Sequence, residues 1–344
     1  MTTPVASLLH KVGNSPTSAN VLLKAKTAKV SGKEFASKGA HESLREALAR
    51  AQRWQQQMSV ITQAAKATQA RMPRQDSHPN PSPKELAGNV TYDYVGHLMD
   101  VGAGNWTPYV KQFCKSFLVV DPVGTKNRTS KKQLRQVLRD RQDMFMPEGF
   151  ALFVKAITIS QDYQQTAVFS SMVVPSANGK MEEFVDRTDF LTIETRKNKN
   201  CISSLKTYWS TAGSLLRAPV SVQHQTTEDG IRNYLRALHE LGTNQSFDYF
   251  SQFADNFTVH DPLGMPPMTS LQELQTAIPE LAKLLAPQGF TVDVEGVTVA
   301  ANPEYGSAHL VLHFIGGASV DIIDIFQITS QGKVKNLKAV WHIV

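Results

Sequence analysis

The chain has 344 residues, enough for two domains that each bury their own core. Hydrophobic residues make up 41% and charged residues 19%, the balance of a globular chain rather than a disordered one. No apolar run reaches the roughly 18 residues that a membrane-spanning helix needs, so no membrane span is expected. The net charge of +6 is uneven: residues 1–84 hold 8 Lys and 5 Arg against 3 Glu and 1 Asp, which gives this arm +9 and leaves −3 for the rest. An arm of spaced lysines reads as a solvated tail that meets phosphate or anionic lipid nonspecifically, not as the surface of a specific nucleic-acid partner.

Residues 1–40 are rich in Ser, Thr, Ala and Lys and show no apolar period, so they read as disordered or as a processed leader. Val21-Leu22-Leu23 is too short for a secretory signal. The scarcity of acids there allows an organelle transit peptide, although arginine is absent; a cytoplasmic or organellar place is expected, not a secreted one. From about 41 to 72, Leu44, Leu48, Ala51, Met58 and Ile61 fall on one helical face, and Pro73 to Pro83 form a linker. Cys114 and Cys201 have no metal-ligand spacing and do not suggest a disulfide-built fold. The histidines are scattered, so no metal site is expected.

Beyond residue 85 the chain repeats itself. Tyr94, Phe113, Asp121, Pro122, Gly124, Leu134, Gly149 and Phe150 recur as Tyr234, Phe253, Asp261, Pro262, Gly264, Leu274, Gly289 and Phe290, each pair 140 positions apart. Further on, Val185 to Phe190 answers Asp321 to Phe326, and Leu205 to Trp209 answers Leu337 to Trp341. The expected boundaries are a first copy at 85–212 and a second at 224–344, joined by 211–224. Each copy opens with helical stretches, in the second Ile231 to Leu241 and Phe247 to Ala254, and a third helix runs from about Ser270 to Leu285. Alternating β-branched runs follow: Thr291 to Val299, Ala308 to Phe314, Ser319 to Thr329 and Lys333 to Ile343. The expected class is α+β: two tandem cone-shaped domains, each with three helices on a curved, mostly antiparallel sheet.

The segment Val259-His260-Asp261-Pro262-Leu263-Gly264 resembles the signature around the catalytic base of the ketosteroid isomerases. That family shares the nuclear transport factor two-like fold with SnoaL-like cyclases, dehydratases and non-enzymatic binders. The resemblance covers about 225–344 and, more weakly, 86–212. It implies that Asp261 moves the proton, with Asp121 as its first-copy counterpart. It implies a hydrogen-bond donor at Tyr234, in a "Y-x-x-A-L" context, with Tyr94 as counterpart; the loop after this helix is slightly longer than the family's, which leaves its phase open. A second donor is implied at Asp324, in Ile323-Asp324-Ile325-Phe326, with Asp189 fitting more loosely. Trp341 and Trp209 fall where the family has a pocket-lining aromatic residue, and Phe326 joins Trp341 as an expected substrate contact.

These residue types suit one reaction. Moving a double bond beside a ketone needs a carboxylate that removes an α proton and returns it further along. Charge builds on the carbonyl oxygen in between, and donors aimed at that oxygen lower the barrier. An Asp donates only while protonated, which in this family an apolar site ensures. On a strand, residues two apart share a face. Asp324 therefore stands with Ile322 and Phe326, whereas Asp189 stands with Arg187 and Leu191; a cation so close favours the charged form. The second copy is the better catalytic candidate. The expected function is a cofactor-independent isomerase of a hydrophobic ketone, mainly in that copy. The alternatives are a non-catalytic ligand-binding or assembly module, or cyclase or dehydratase chemistry with the same Asp. Two copies on one linker are expected to pair within the chain as a pseudo-dimer.

Overall fold

The structure is a computed structural model that describes residues 82–144, 150–175, 181–196, 199–209, 220–243 and 248–341. The basic arm and its expected helix at 41–72 lie outside these residues, as does most of the joining segment.

The first half opens with α1 (Pro83–Gly102). It begins there because Ser82 caps it: the Ser82 hydroxyl accepts from the Glu85 N–H, and the Glu85 carboxylate accepts from the Ser82 N–H at 2.6 Å. A short α2 (Thr107–Lys111) follows, then β1 (Phe113–Val120), α3 (Lys131–Met144), β2 (Ala151–Ile159), β3 (Gln165–Pro175), β4 (Met181–Arg196) and β5 (Lys199–Trp209). The second half runs α4 (Val222–Gly242), a 3-10 turn at Phe250–Gln252, β6 (Phe253–His260), α5 (Leu271–Leu285), β7 (Phe290–Val299), β8 (Tyr305–Phe314), β9 (Ser319–Ile328) and β10 (Val334–Val340). The buried face of α4 includes Thr227, Ile231, Tyr234 and Leu235, the three- and four-residue spacing of an amphipathic helix.

Each half builds a five-stranded sheet, in the orders β1-β5-β4-β3-β2 and β6-β10-β9-β8-β7. The β1–β5 and β6–β10 pairs are parallel and the other pairs antiparallel. The class is α+β, as expected. The helices differ from expectation in the second half, where the stretch Phe247 to Ala254 gives only one 3-10 turn before Phe253 enters a strand. The reason is tertiary: β6 bonds in parallel to β10, with Thr258 opposite Asn336 and His260 opposite Lys338, and this ladder outweighs a weak local helical period.

The sheets carry apolar residues on both faces. The inner face of the second sheet closes on α4 and α5 in a core that includes Tyr234, Leu274, Leu310 and Phe326; an equivalent core in the first half includes Tyr94, Leu134, Leu152 and Leu191. The outer faces share a third core: Val123, Ala156, Ala167, Phe169, Phe190 and Tyr208 pack with Leu263, Ala300, Ile323, Ile325 and Val340. Burial on both faces explains why 322–326 of β9 are buried without a break.

The cysteines correct the expectation. Cys114 on β1 and Cys201 on β5 form a disulfide, with Cα atoms 5.0 Å apart across 87 residues of sequence. The parallel β1–β5 register sets Phe113 opposite Ile202 and so brings the two neighbours together. Sequence spacing holds no trace of that register. Among the described residues, no helix is long and apolar enough to cross a membrane.

Candidate active site

In the second half, Asp261 leaves the end of β6 in the turn Asp261-Pro262-Leu263-Gly264, whose Asp–Pro bond is cis, as is that of Asp121-Pro122. Because β6 runs beside β10, the turn lies against the end of β10: Leu263 N–H donates to Ala339 C=O at 2.8 Å, and Trp341 Nε1–H donates to Asp261 Oδ1 at 2.7 Å. Burial pushes the Asp261 carboxyl up to about 6, and the Trp341 hydrogen bond holds it from going further. Such a group is ionised at neutral pH yet basic enough to take a proton.

Tyr234 comes from α4 and is 1% exposed; the longer loop has not displaced it from the site. Its ring packs edge-on against Phe326, with centroids 5.2 Å apart. Its hydroxyl accepts a long hydrogen bond, 3.4 Å, from Tyr249. Burial drives the pKa of Tyr234 well up, and Tyr249, Asp324 and Asp261 add to this, so it stays a neutral donor. Burial likewise raises Tyr249.

Asp324 projects from the inner face of β9 and is 1% exposed. Among the described residues its Oδ1 has no hydrogen-bond partner. Burial, and then the charge of Asp261, push its carboxyl well above the ordinary carboxylate range. An acid in that setting holds its proton and can present it to a bound group.

The groups meet in one cavity, of about 600 Å³ counting the part open to solvent. Tyr234, Tyr249, Asp261, Asp324 and Trp341 line it, and the remaining wall is apolar, including Leu238, Ile278, Phe290, Leu310 and Leu312. That lining suits a largely apolar small molecule with few polar groups. Phe326, an expected substrate contact, is not among the residues that line the cavity; its ring packs against that of Tyr234. Tyr249 was missed by the sequence reading, although Tyr109 lies 140 positions before it, the same offset as the rest of the repeat.

The first half gathers the corresponding residues with a different result. In the register, Asp189 lies opposite Thr207 and Val168, and Asp324 opposite Ala339 and Ala308. This pairs Asp189 with Asp324, Arg187 with Ile322 and Leu191 with Phe326, a shift of one residue from the end-to-end match of Val185–Phe190 with Asp321–Phe326. Arg187 is 4% exposed. Its Nε–H donates to Asp189 Oδ1 at 2.6 Å, and its Nη2 lies 3.7 Å from Asp121 Oδ2. Asp121 Oδ1 accepts from Thr207 Oγ1 at 2.5 Å and from Trp209 Nε1 at 2.9 Å. Desolvation works to lower the Arg187 pKa, but Asp189 and Asp121 together carry it well above its usual value, so the guanidinium is charged. Burial raises the Asp189 carboxyl and Arg187 opposes that rise. Tyr94, also fully buried, stands beside this cluster with its pKa raised by burial and then by Asp189. Among the described residues the first half therefore holds a buried ion-pair cluster, whereas Asp324 of the second half has no ion-pair partner.

No protein-family model matches the chain, and no curated protein sequence matches it. Among solved structures, parts of the chain are similar to SalBIII, described as an epoxide hydrolase/cyclase-like enzyme in pyran ring formation in the polyether salinomycin. That match has 18% identity over 36% of this chain and 91% of that one, with a TM-score of 0.29. A Mycobacterium tuberculosis protein in complex with estradiol-17beta-hemisuccinate is similar at 17% identity over 34% of this chain and 95% of its own, with a TM-score of 0.28. A candidate ketosteroid isomerase from Kribbella flavida is similar at 12% identity over 35% and 80%, also with a TM-score of 0.28.

Proposed function

We propose that the second half is a cofactor-independent isomerase site that moves a double bond into conjugation with the carbonyl of a hydrophobic ketone. In this reading Asp261 takes the proton α to the carbonyl and returns it at the far end of the shifted double bond. Tyr234 and protonated Asp324 donate to the carbonyl oxygen as it gains charge. The observation that carries the reading is the pairing, in one apolar cavity, of an acid held neutral with a second carboxyl poised at about 6. Two carboxyls pushed to different states are what a base and an oxyanion donor require. The apolar walls support a substrate whose carbonyl is its main polar group.

The first half, in the same reading, is a second copy of the domain that has lost this chemistry. Asp189 accepts from Arg187 at 2.6 Å, and that cation opposes the proton a donor would have to carry. The shared core between the outer sheet faces supports an intrachain pseudo-dimer of the two copies.

The deciding experiment is an ultraviolet assay on a panel of β,γ-unsaturated ketones, with wild-type protein and Asp261→Asn. Wild type is expected to produce the conjugated product, and the variant to lose roughly 10²–10⁴-fold in kcat. Absence of conjugated product from wild type on the whole panel overturns the isomerase reading. Ring-closed or dehydrated products would move it to cyclase or dehydratase chemistry with the same Asp.

A further inference from the structure

The turn that carries Asp261 is held by both halves of the chain. Leu263 donates its N–H to Ala339 C=O on β10 at 2.8 Å, and its C=O accepts from the Gln161 N–H of the first half, also at 2.8 Å. Both polar groups of one peptide residue, two positions from the proposed base, are thus spoken for, one by each sheet. The Leu263 side chain is 5% exposed in the shared core. Gly264 has a φ of +101°, and a Cβ on it would stand 2.6 Å from the backbone N of Asp162. The two backbones approach too closely for any side chain there.

The first-half partner is the β2–β3 turn at 160–164, which Asp162 braces. Its Oδ1 accepts from Ser160 Oγ at 2.5 Å and from the Gln164 N–H at 3.0 Å. Ser160 Oγ in turn accepts from the Gln165 N–H at 3.0 Å, and Tyr163 takes the left-handed conformation, with φ 58°. The side chain of Asp162 is exposed, so its carboxylate shapes the turn without building a core. The device is repeated in reverse: Val123 N–H donates to Thr207 C=O at 2.8 Å, and Val123 C=O accepts from the Asn302 N–H of the second half at 2.9 Å.

We propose that Asp162 is a positioning residue for Asp261, and that the second-half site is complete only with the first-half turn docked on it. Asp162 fixes the peptide that holds Leu263, Leu263 fixes the turn, and the turn keeps the half-buried Asp261 carboxyl bonded to Trp341 and shielded from full contact with water. For activity this rests on the isomerase reading; for the state of the Asp261 carboxyl it does not.

The test uses the full chain as wild type, Asp162→Ala, Asp162→Asn and Gly264→Ala. The readouts are the titration of the Asp261 carboxyl carbon by NMR, assigned by its loss in Asp261→Asn, and kcat and KM on the isomerised ketone. The other titratable groups facing Asp261, namely Asp324, Tyr234 and Tyr249, are unchanged in all of these proteins. Wild type should titrate at about 6. Asp162→Ala should lower this midpoint by on the order of one unit as water reaches the carboxyl, and lower kcat about tenfold with little change in KM. Gly264→Ala should do the same by pushing the turns apart. Asp162→Asn keeps an acceptor for the Gln164 N–H and should stay near wild type. A midpoint that is unmoved in both Asp162→Ala and Gly264→Ala overturns the proposal. A midpoint that moves in a protein without ketone turnover upholds it and removes the isomerase reading instead.

Discussion

Asp261 and Asp324 are the same residue type in one cavity, yet their surroundings ask opposite things of them. Asp261 has a hydrogen bond from Trp341 to support its charge, whereas Asp324 has none on its Oδ1. If Asp261 is the base it must be ionised, so kcat/KM for the ketone should fall as pH drops through about 6, which a pH–rate profile will read. Stability should run the other way. The folded-state value is raised from 3.8, so the stability associated with this proton is full below pH 3.8 and is lost as pH rises through about 6. Asp261→Asn buries no charge and should be more stable than wild type at pH 8 by about 1–3 kcal/mol in denaturant titrations. A residue kept at a cost to stability is what a functional role predicts. Arg187 makes the contrasting case. Arg187→Ile copies the second half's Ile322 but leaves Asp121 and Asp189 buried without their cation. It should destabilise the first half by about 3–5 kcal/mol, measured in the same titrations.

At the scale of elements, β9 decides the site. Its inner residues Ile322, Asp324 and Phe326 face the cavity and its backing, while Ile323 and Ile325 belong to the core shared with the first half. The alternation that set Asp324 among apolar neighbours was legible in the sequence, because strand periodicity is local. So was the Asp-Pro turn, whereas the phase of Tyr234 on α4 was left open by the longer loop. The strand β6 was not legible, since its stability comes from a ladder with β10 far along the chain. Nor was Tyr249, which belongs to a segment whose helical pattern the strand interrupts. Phe326, expected as a substrate contact, packs edge-on against Tyr234 instead of lining the cavity, a contact that only the tertiary structure reveals. Ile325→Asp puts an unpaired charge into the shared core while leaving the cavity wall intact, and should destabilise the fold by several kcal/mol in equilibrium unfolding.

At the scale of the whole molecule, the outer faces of the two sheets bury one another, so neither half has a complete surface without its neighbour. Equilibrium unfolding should therefore follow a single transition in denaturant, read by both tryptophan fluorescence and circular dichroism. Two separated transitions would argue against the pseudo-dimer. The disulfide between Cys114 and Cys201 bears on where such a molecule can persist, since disulfides are favoured in oxidising compartments. Free-thiol titration of the unreduced, denatured chain should find none. By itself the sequence determined the α+β class and the strand faces, because both are carried by spacing along the chain, and it pointed to the candidate acids through a family resemblance. Tertiary structure decided what each acid is paired with, which half keeps an unpaired one, and which loop braces the Asp261 turn. Those depend on contacts between residues far apart in sequence, where the register of one strand against another, and not local pattern, sets the environment.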